Sequence, residues 1–268
     1  MLKHFKDSHV HTNASHDGKS GILEYLVVAK AKNVDEITFT DHYDIYDGVA
    51  TKLTTLDVAN CRERYLELTK NADIETHFGI EIGLRPEAEQ KIKAMTAAND
   101  FDFIIGSSHI TCGKDMSMDS SFFDGLTRHE AYMRYFNEVL ENINTFDDFD
   151  VYGHLDYVVR YGGYDKNHID YQEFGDILDK ILVSLIKKGK GIEVNSSGIR
   201  YRLGAPHPNM DIVERFVGLG GKIITIGSDA HSAEDLAKHF QIIKMLLQRR
   251  GIKEVAVFKN RVPHFYEI

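Results

Sequence analysis

The sequence predicts a single-domain α/β barrel spanning residues 1–268, and three observations carry that expectation. Short apolar runs alternate with longer segments of helical period along the chain, the pattern of parallel strands returned by crossover helices. Seven or eight such repeats in 268 residues suit a closed barrel better than an open sheet. The histidines and carboxylates gather where the apolar runs end, which in barrels is the face that carries chemistry.

The elements follow in order. "FKDSHVH" (5–11) is a first strand of weak alternation, and "GILEYLVVAKAKN" (21–33) repeats apolar residues at helical intervals. "EITFTDH" (36–42) reads as a buried strand, and "TTLDVANCRERYLELTKNA" (54–72) as a helix opening on a threonine cap. "THFGIEIGL" (76–84) is the next strand. "RPEAEQKIKAMTAAN" (85–99) places Pro86 near a helix start, where a missing N–H costs little. The strand "FDFIIGSSH" (101–109) precedes the helix "TRHEAYMRYFNEVLENINTF" (127–146), and "DVYGHLD" (150–156) precedes "DYQEFGDILDKILVSLIKKG" (170–189). "GIEVNSS" (191–197) and "KIITIGSDAH" (222–231) complete the strands. "AEDLAKHFQIIKMLLQRRG" (233–251) ends on Arg249, Arg250 and Gly251, a basic last turn followed by a glycine stop. The apolar stripes of these helices are core packing.

Composition excludes several classes. A formal net charge of −9 argues against a nucleic-acid partner, which needs a basic face. No apolar run approaches the length of a membrane helix, and the opening "MLKHFKDSHVH" lacks the apolar core of a signal peptide. Cys61 and Cys112 are too few for a disulfide framework, so a cytoplasmic location is expected.

Among 14 histidines, His4, His77, His129, His168, His239 and His264 lie in no metal pattern. Six of the others sit at strand ends beside carboxylates: His9 and His11 on the first, Asp41 and His42 on the second, His109 on the fourth, His154 and Asp156 on the fifth, Asp229 and His231 on the last. Glu81 lies late in the third strand, and Glu193 and Asn195 end the sixth. Residues two apart on a strand share a face, so His9 with His11 and Asp229 with His231 point into one barrel mouth. Imidazoles and carboxylates without a convincing thiolate suit zinc, iron or manganese; Cys112, three residues after His109, is read as a bystander. One catalytic zinc usually takes three protein ligands, so this supply implies two to three divalent ions. Asp7 is placed either to orient a metal-bound histidine or as a simple strand-start aspartate.

"DSHVHTNASHDG", "FTDH", "GIEIG", "GSSH", "GHLD", "EVNSSGIR" and "GSDAH" resemble, in order, the motifs of the polymerase-and-histidinol-phosphatase (PHP) superfamily, and most closely its histidinol-phosphate phosphatases. The resemblance runs from residue 7 to about residue 235. It implies a distorted (β/α)7 TIM-like barrel with a trinuclear metal centre. One metal would take His9, His11, Glu81 and Asp229; a second would share Glu81 and add His109 and His154; a third would take Asp17, His42 and His231. Many members read S-D-G in the first motif, whereas this chain reads Ser15-His16-Asp17-Gly18. Either His16 or Asp17 is then the ligand, and the retained D-G pair favours Asp17.

The implied reaction is hydrolysis of a small-molecule phosphate ester, L-histidinol phosphate, to L-histidinol and phosphate, with a metal-bridging hydroxide as nucleophile. No G-x-S-x-G elbow or Walker A loop points to another route. Charge left on the phosphoryl oxygens calls for a guanidinium. Arg160, after the fifth strand, and Arg200, in a segment resembling the family's S-G-L-R, are the candidates. Glu193 and Asn195 are expected to reach the amine or imidazole, with Ser15 and Tyr161 as further candidates. His42, Asp229 or a metal-bound water would supply the leaving group's proton. Within the family the alternatives are a protein-tyrosine phosphatase and an exonuclease. Outside it, amidohydrolase-like barrels share H-x-H but often use a strand-four lysine that "GSSH" does not offer. A metal-storage protein would not need arginines that face phosphate.

Overall fold

The computed structural model describes residues 5–165 and 167–268; His4 lies outside them. Seven strands form the barrel: β1 (Phe5–Val10), β2 (Val34–Phe39), β3 (Glu75–Gly83), β4 (Phe103–Ser107), β5 (Val151–Tyr152), β6 (Gly191–Asn195) and β7 (Ile224–Gly227). They pair in chain order, and every pairing is parallel. The sheet then closes on itself: the His11 amide donates to the Ala230 carbonyl at 2.9 Å, and the Asp229 amide to the His9 carbonyl at 2.9 Å. A two-residue strand, His42–Tyr43, adds beside β3 so that His42 lies opposite Glu81. Both faces of the strands are covered, which is why they read as nearly continuous apolar runs.

The helices of nine or more residues are α1 (Ile22–Lys32), α2 (Val58–Thr69), α3 (Glu89–Ala98), α4 (Arg128–Thr145), α5 (Tyr171–Lys187), α6 (Met210–Gly218) and α7 (Phe240–Arg249). Their starts differ from expectation in two places. The α2 cap is Asp57, whose carboxylate accepts the Asn60 amide at 3.1 Å, and not a threonine. The helix expected from residue 233 begins only at Phe240, because the Ala237 amide is taken by the buried Asp7 carboxylate and the Lys238 carbonyl by Ser196. Pro86 opens a short 3-10 turn ahead of α3, and Gly251 takes a φ of 76° just past α7.

Two elements went unread. Helix α6 follows the Asn209 cap, whose side chain accepts the amides of Asp211 and Ile212. A C-terminal hairpin, β8 (Glu254–Lys259) with β9 (Val262–Glu267), buries Ala256 and Phe258 against Phe103, Ile105 and Val151. Phe258 stacks on Phe103 at 4.9 Å, closing the barrel at its strand-start end. The opposite end stays open and holds the polar residues.

Candidate metal centre

Glu81, fully buried on β3, is the hub. One carboxylate oxygen lies 3.2, 3.4 and 3.0 Å from ring nitrogens of His9, His11 and His42. The other lies 3.2 Å from His109 and 2.8 Å from His154. The Nε2 atoms of His9 and His11 are 2.9 Å apart, so the H-x-H pair does share a face. Asp229 approaches His11 at 3.4 Å. Asp17 reaches the remaining side, 3.0 Å from His231 and 3.7 Å from His42. All nine expected ligands therefore converge. His16 lines the same cavity but makes only ring contacts, whereas Asp17 meets His231 at 3.0 Å, so the geometry favours Asp17.

The last pair arrives by a route that strand periodicity did not foresee. Strand β7 ends at Gly227, and Asp229 follows in a left-handed conformation with a φ of 53°. A non-glycine residue there is strained, and such strain concentrates at functional sites.

The charges suit cations. Burial works against every charge here, yet Glu193 and Glu81 hold His9 well above the usual imidazole range. Burial likewise opposes His42, which Glu81 nevertheless brings up to about 9. His11 is held well below its ordinary value by burial and by the imidazoles of His42 and His231. Against burial, His9, His109 and His42 keep Glu81 well below the usual carboxylate range. Such a cluster is occupied by positive charge in either form, protons on imidazoles or divalent ions in their place. Glu81 Oε2, the oxygen nearest His9, His11 and His42, is buried without a hydrogen-bond partner, as a ligand atom requires. His9, Glu81 and His154 form one set whose donor atoms lie within 4.8 Å of one another; His9, His11 and Asp229 form another. The donor set, imidazole and carboxylate with no thiolate, fits a divalent metal.

A second layer aims the ligands. Glu193 accepts from His9 Nδ1 at 2.6 Å, and its other oxygen takes the His154 amide at 2.9 Å and Asn195 at 3.0 Å. Gly227 makes room: a Cβ there would collide with the Glu193 carboxylate. Asp44 holds His109 Nδ1 at 3.1 Å. Asp7 does not orient an imidazole. It accepts the amides of Ser228 and Ala237, each at 2.9 Å, and burial pushes its carboxyl up to about 6.

These contacts correct several expectations. Glu193 and Asn195 lie beneath the ligands, not on the cavity wall, because both are consumed in holding β6 and its neighbours. Arg200 donates to the carbonyls of Ser228 and Asp229 at 2.8 and 2.7 Å, so it braces the Asp229 turn and does not line the cavity. Ser15 donates to Asp41 at 2.6 Å and receives the His42 amide at 3.0 Å, also off the cavity. Asp156 is bound to His207 at 2.5 Å. Arg160 and Tyr161 do line the cavity, which measures about 270 Å³ and opens over Asp17, His42, His109, His154, Asp229 and His231. Arg160 donates to Ser197 at 2.8 Å, lies 3.6 Å from Asp229, and is stacked on Tyr157 and Tyr201 at 4.9 and 4.0 Å. Asp44, Tyr157, Tyr201 and Asp115 also reach the wall. Asp44 was legible as the second half of an H-x-D pair with His42.

His77 joins Glu36 and Glu75 in a further group of metal-capable side chains at the strand starts. Lys6 pairs with Glu36 at 2.6 Å and Lys259 with Glu75, so ammonium groups already neutralise this group. Cys112 keeps its thiol form, pushed up to about 11 by burial and Glu138, and contributes to neither cluster.

A PHP domain family model matches residues 7–197. The chain belongs to the PHP domain family. As a PHP domain it is similar over nearly its whole length to known proteins. It is 29% identical to the histidinol-phosphatase of Lactococcus lactis subsp. lactis over 95% of this chain and 94% of that protein. It is 27% identical to a Clostridium acetobutylicum protein named "Probable histidinol-phosphatase", over 97% of this chain and 98% of the relative. A crystal structure of the L. lactis histidinol phosphate phosphatase with zinc, L-histidinol and phosphate superposes with a TM-score of 0.85 at 27% identity, covering 98% of this chain and 100% of that one.

Proposed function

We propose that this PHP domain is a metal-dependent phosphomonoesterase that hydrolyses L-histidinol phosphate to L-histidinol and phosphate. The observation that carries the reading is the cavity itself: a floor of imidazoles and carboxylates around Glu81, walled by Arg160. Likeness over the full length to histidinol-phosphatases, one of them with L-histidinol and phosphate bound, supports the substrate.

Two to three divalent ions, zinc, iron or manganese, fit the nine ligands: His9, His11, Glu81 and Asp229 for one, Glu81, His109 and His154 for a second, Asp17, His42 and His231 for a third. When bound, such ions neutralise phosphoryl oxygens, acidify water and align it for in-line attack. The chain's residues do the rest. Arg160 offers a fork to the phosphoryl oxygens, fixed by Ser197 and by its stacked tyrosines. Asp229 is held well below the usual carboxylate range despite burial, by His11, His9, His231 and Arg160, so it is ionised and has no proton to give. With Asp229 ionised and His42 engaged beside Asp17 as a ligand through Nε2, the leaving oxygen would take its proton from water.

The test is a substrate panel. With Mn²⁺ or Zn²⁺ the protein should release phosphate from histidinol phosphate far faster than from nucleotides or phosphotyrosine peptides. Equal rates on all three would remove the substrate assignment, and full activity after exhaustive chelation would remove the mechanism.

A further inference from the structure

The cavity wall carries charges of both signs. Arg160 and the ligand cluster offer a place for phosphate. Four carboxylates reach the cavity wall: Asp17, Asp44, Asp115 and Asp229. Asp17 and Asp229 lie among the histidines, and Asp44 is bound to His109. Asp115 alone of the four is engaged with no histidine.

Its position is built. The chain leaves His109 directly into a small hairpin, Ile110–Thr111 paired with Lys114–Asp115, in which Ile110 faces Asp115. The Met116 amide returns to the His109 carbonyl at 3.4 Å, pinning Asp115 beside that ligand. The residue is only 6% exposed. Both of its hydrogen bonds fall on Oδ1, from the Ser117 amide at 2.9 Å and the Ser117 hydroxyl at 2.6 Å, which leaves Oδ2 for a ligand. The negative charge is felt at Tyr157 and His16 on the neighbouring walls.

We propose that Asp115 determines specificity by binding the cationic amino end of the substrate while Arg160 and the metal cluster take the phosphate. The inference rests on the reading of the site as one for histidinol phosphate. In that molecule two carbons separate the ammonium from the ester oxygen, so its reader must stand within a side chain's length of the phosphate floor, as a residue pinned to His109 does. A buried carboxylate without a counter-charge is costly, and an ammonium removes that cost. A phosphate ester lacking the cation leaves the cost in place, and a site built this way discriminates against it.

The experiment compares kcat/KM for L-histidinol phosphate and for phenyl phosphate in the metal-loaded wild type and in Asp115→Asn. The wild-type preference should shrink roughly 10- to 100-fold in the variant, mostly through KM, with L-histidinol a correspondingly weaker inhibitor. A strong wild-type preference that survives in Asp115→Asn overturns the inference alone. A wild type that does not prefer histidinol phosphate overturns the functional reading and the inference with it. If Asp115→Asn fails to fold, Asp115→Glu, which moves the charge by one methylene, should also lose preference, and an unchanged ratio there overturns the assignment.

Discussion

Glu193 shows how far a single side chain's role can lie from its neighbourhood in sequence. It meets His9 across 184 positions of chain and fixes that ring through Nδ1. Replacing Glu193 with Gln should weaken metal binding roughly 10- to 100-fold, measured by competition with a chromophoric chelator, while the circular dichroism spectrum stays native. Residues of this scale were legible in the sequence where one strand carried the signal. His9 and His11 announced themselves because the strand period is two, and Glu81 because a charge in an apolar run needs a reason. Residues whose meaning depends on a partner from another strand were not legible. Arg200 resembles a phosphate ligand in its motif, yet it turns to the carbonyls behind Asp229. Asp7, beside the H-x-H, has its carboxylate claimed by backbone amides from the far end of the chain.

At the scale of elements, α4 is the best specified helix. Thr127 accepts the Glu130 amide, and Glu130 returns to the Thr127 amide at 2.8 Å. Thr127→Ala should therefore cost about 1 kcal/mol in urea unfolding with kcat unchanged, because the cap is remote from the cavity. The barrel strands were readable because strands covered on both faces form apolar runs. Helix α6 was not, since its nine residues give only about two and a half turns of period. The C-terminal hairpin escaped for another reason: β8 is largely buried while β9 is mostly exposed, so the pair shares no common pattern. That hairpin still contributes strongly. Phe258→Ala would open a cavity against Phe103 and Ile105, and should destabilise by about 3–5 kcal/mol in the same unfolding experiment.

For the whole molecule, the weak place in the barrel wall is where β7 meets β1. Only one isolated bridge, Val10 with Ala230, joins them among the described residues. The centre lies astride that junction: His9 and His11 come from one side, Asp229 and His231 from the other. Bound ions should therefore act as a clasp. Removing them with a chelator should raise amide hydrogen exchange most around residues 5–12 and 224–231, with α4 and α5 little changed, as read by mass spectrometry.

The same junction sets an order of events in the cell. Asp229 is made 220 residues after His9, so the set that joins them forms only after every strand between, whereas Glu81, His109 and His154 are all present 75 residues earlier. The ion that spans the junction is then the last to find its full set of ligands.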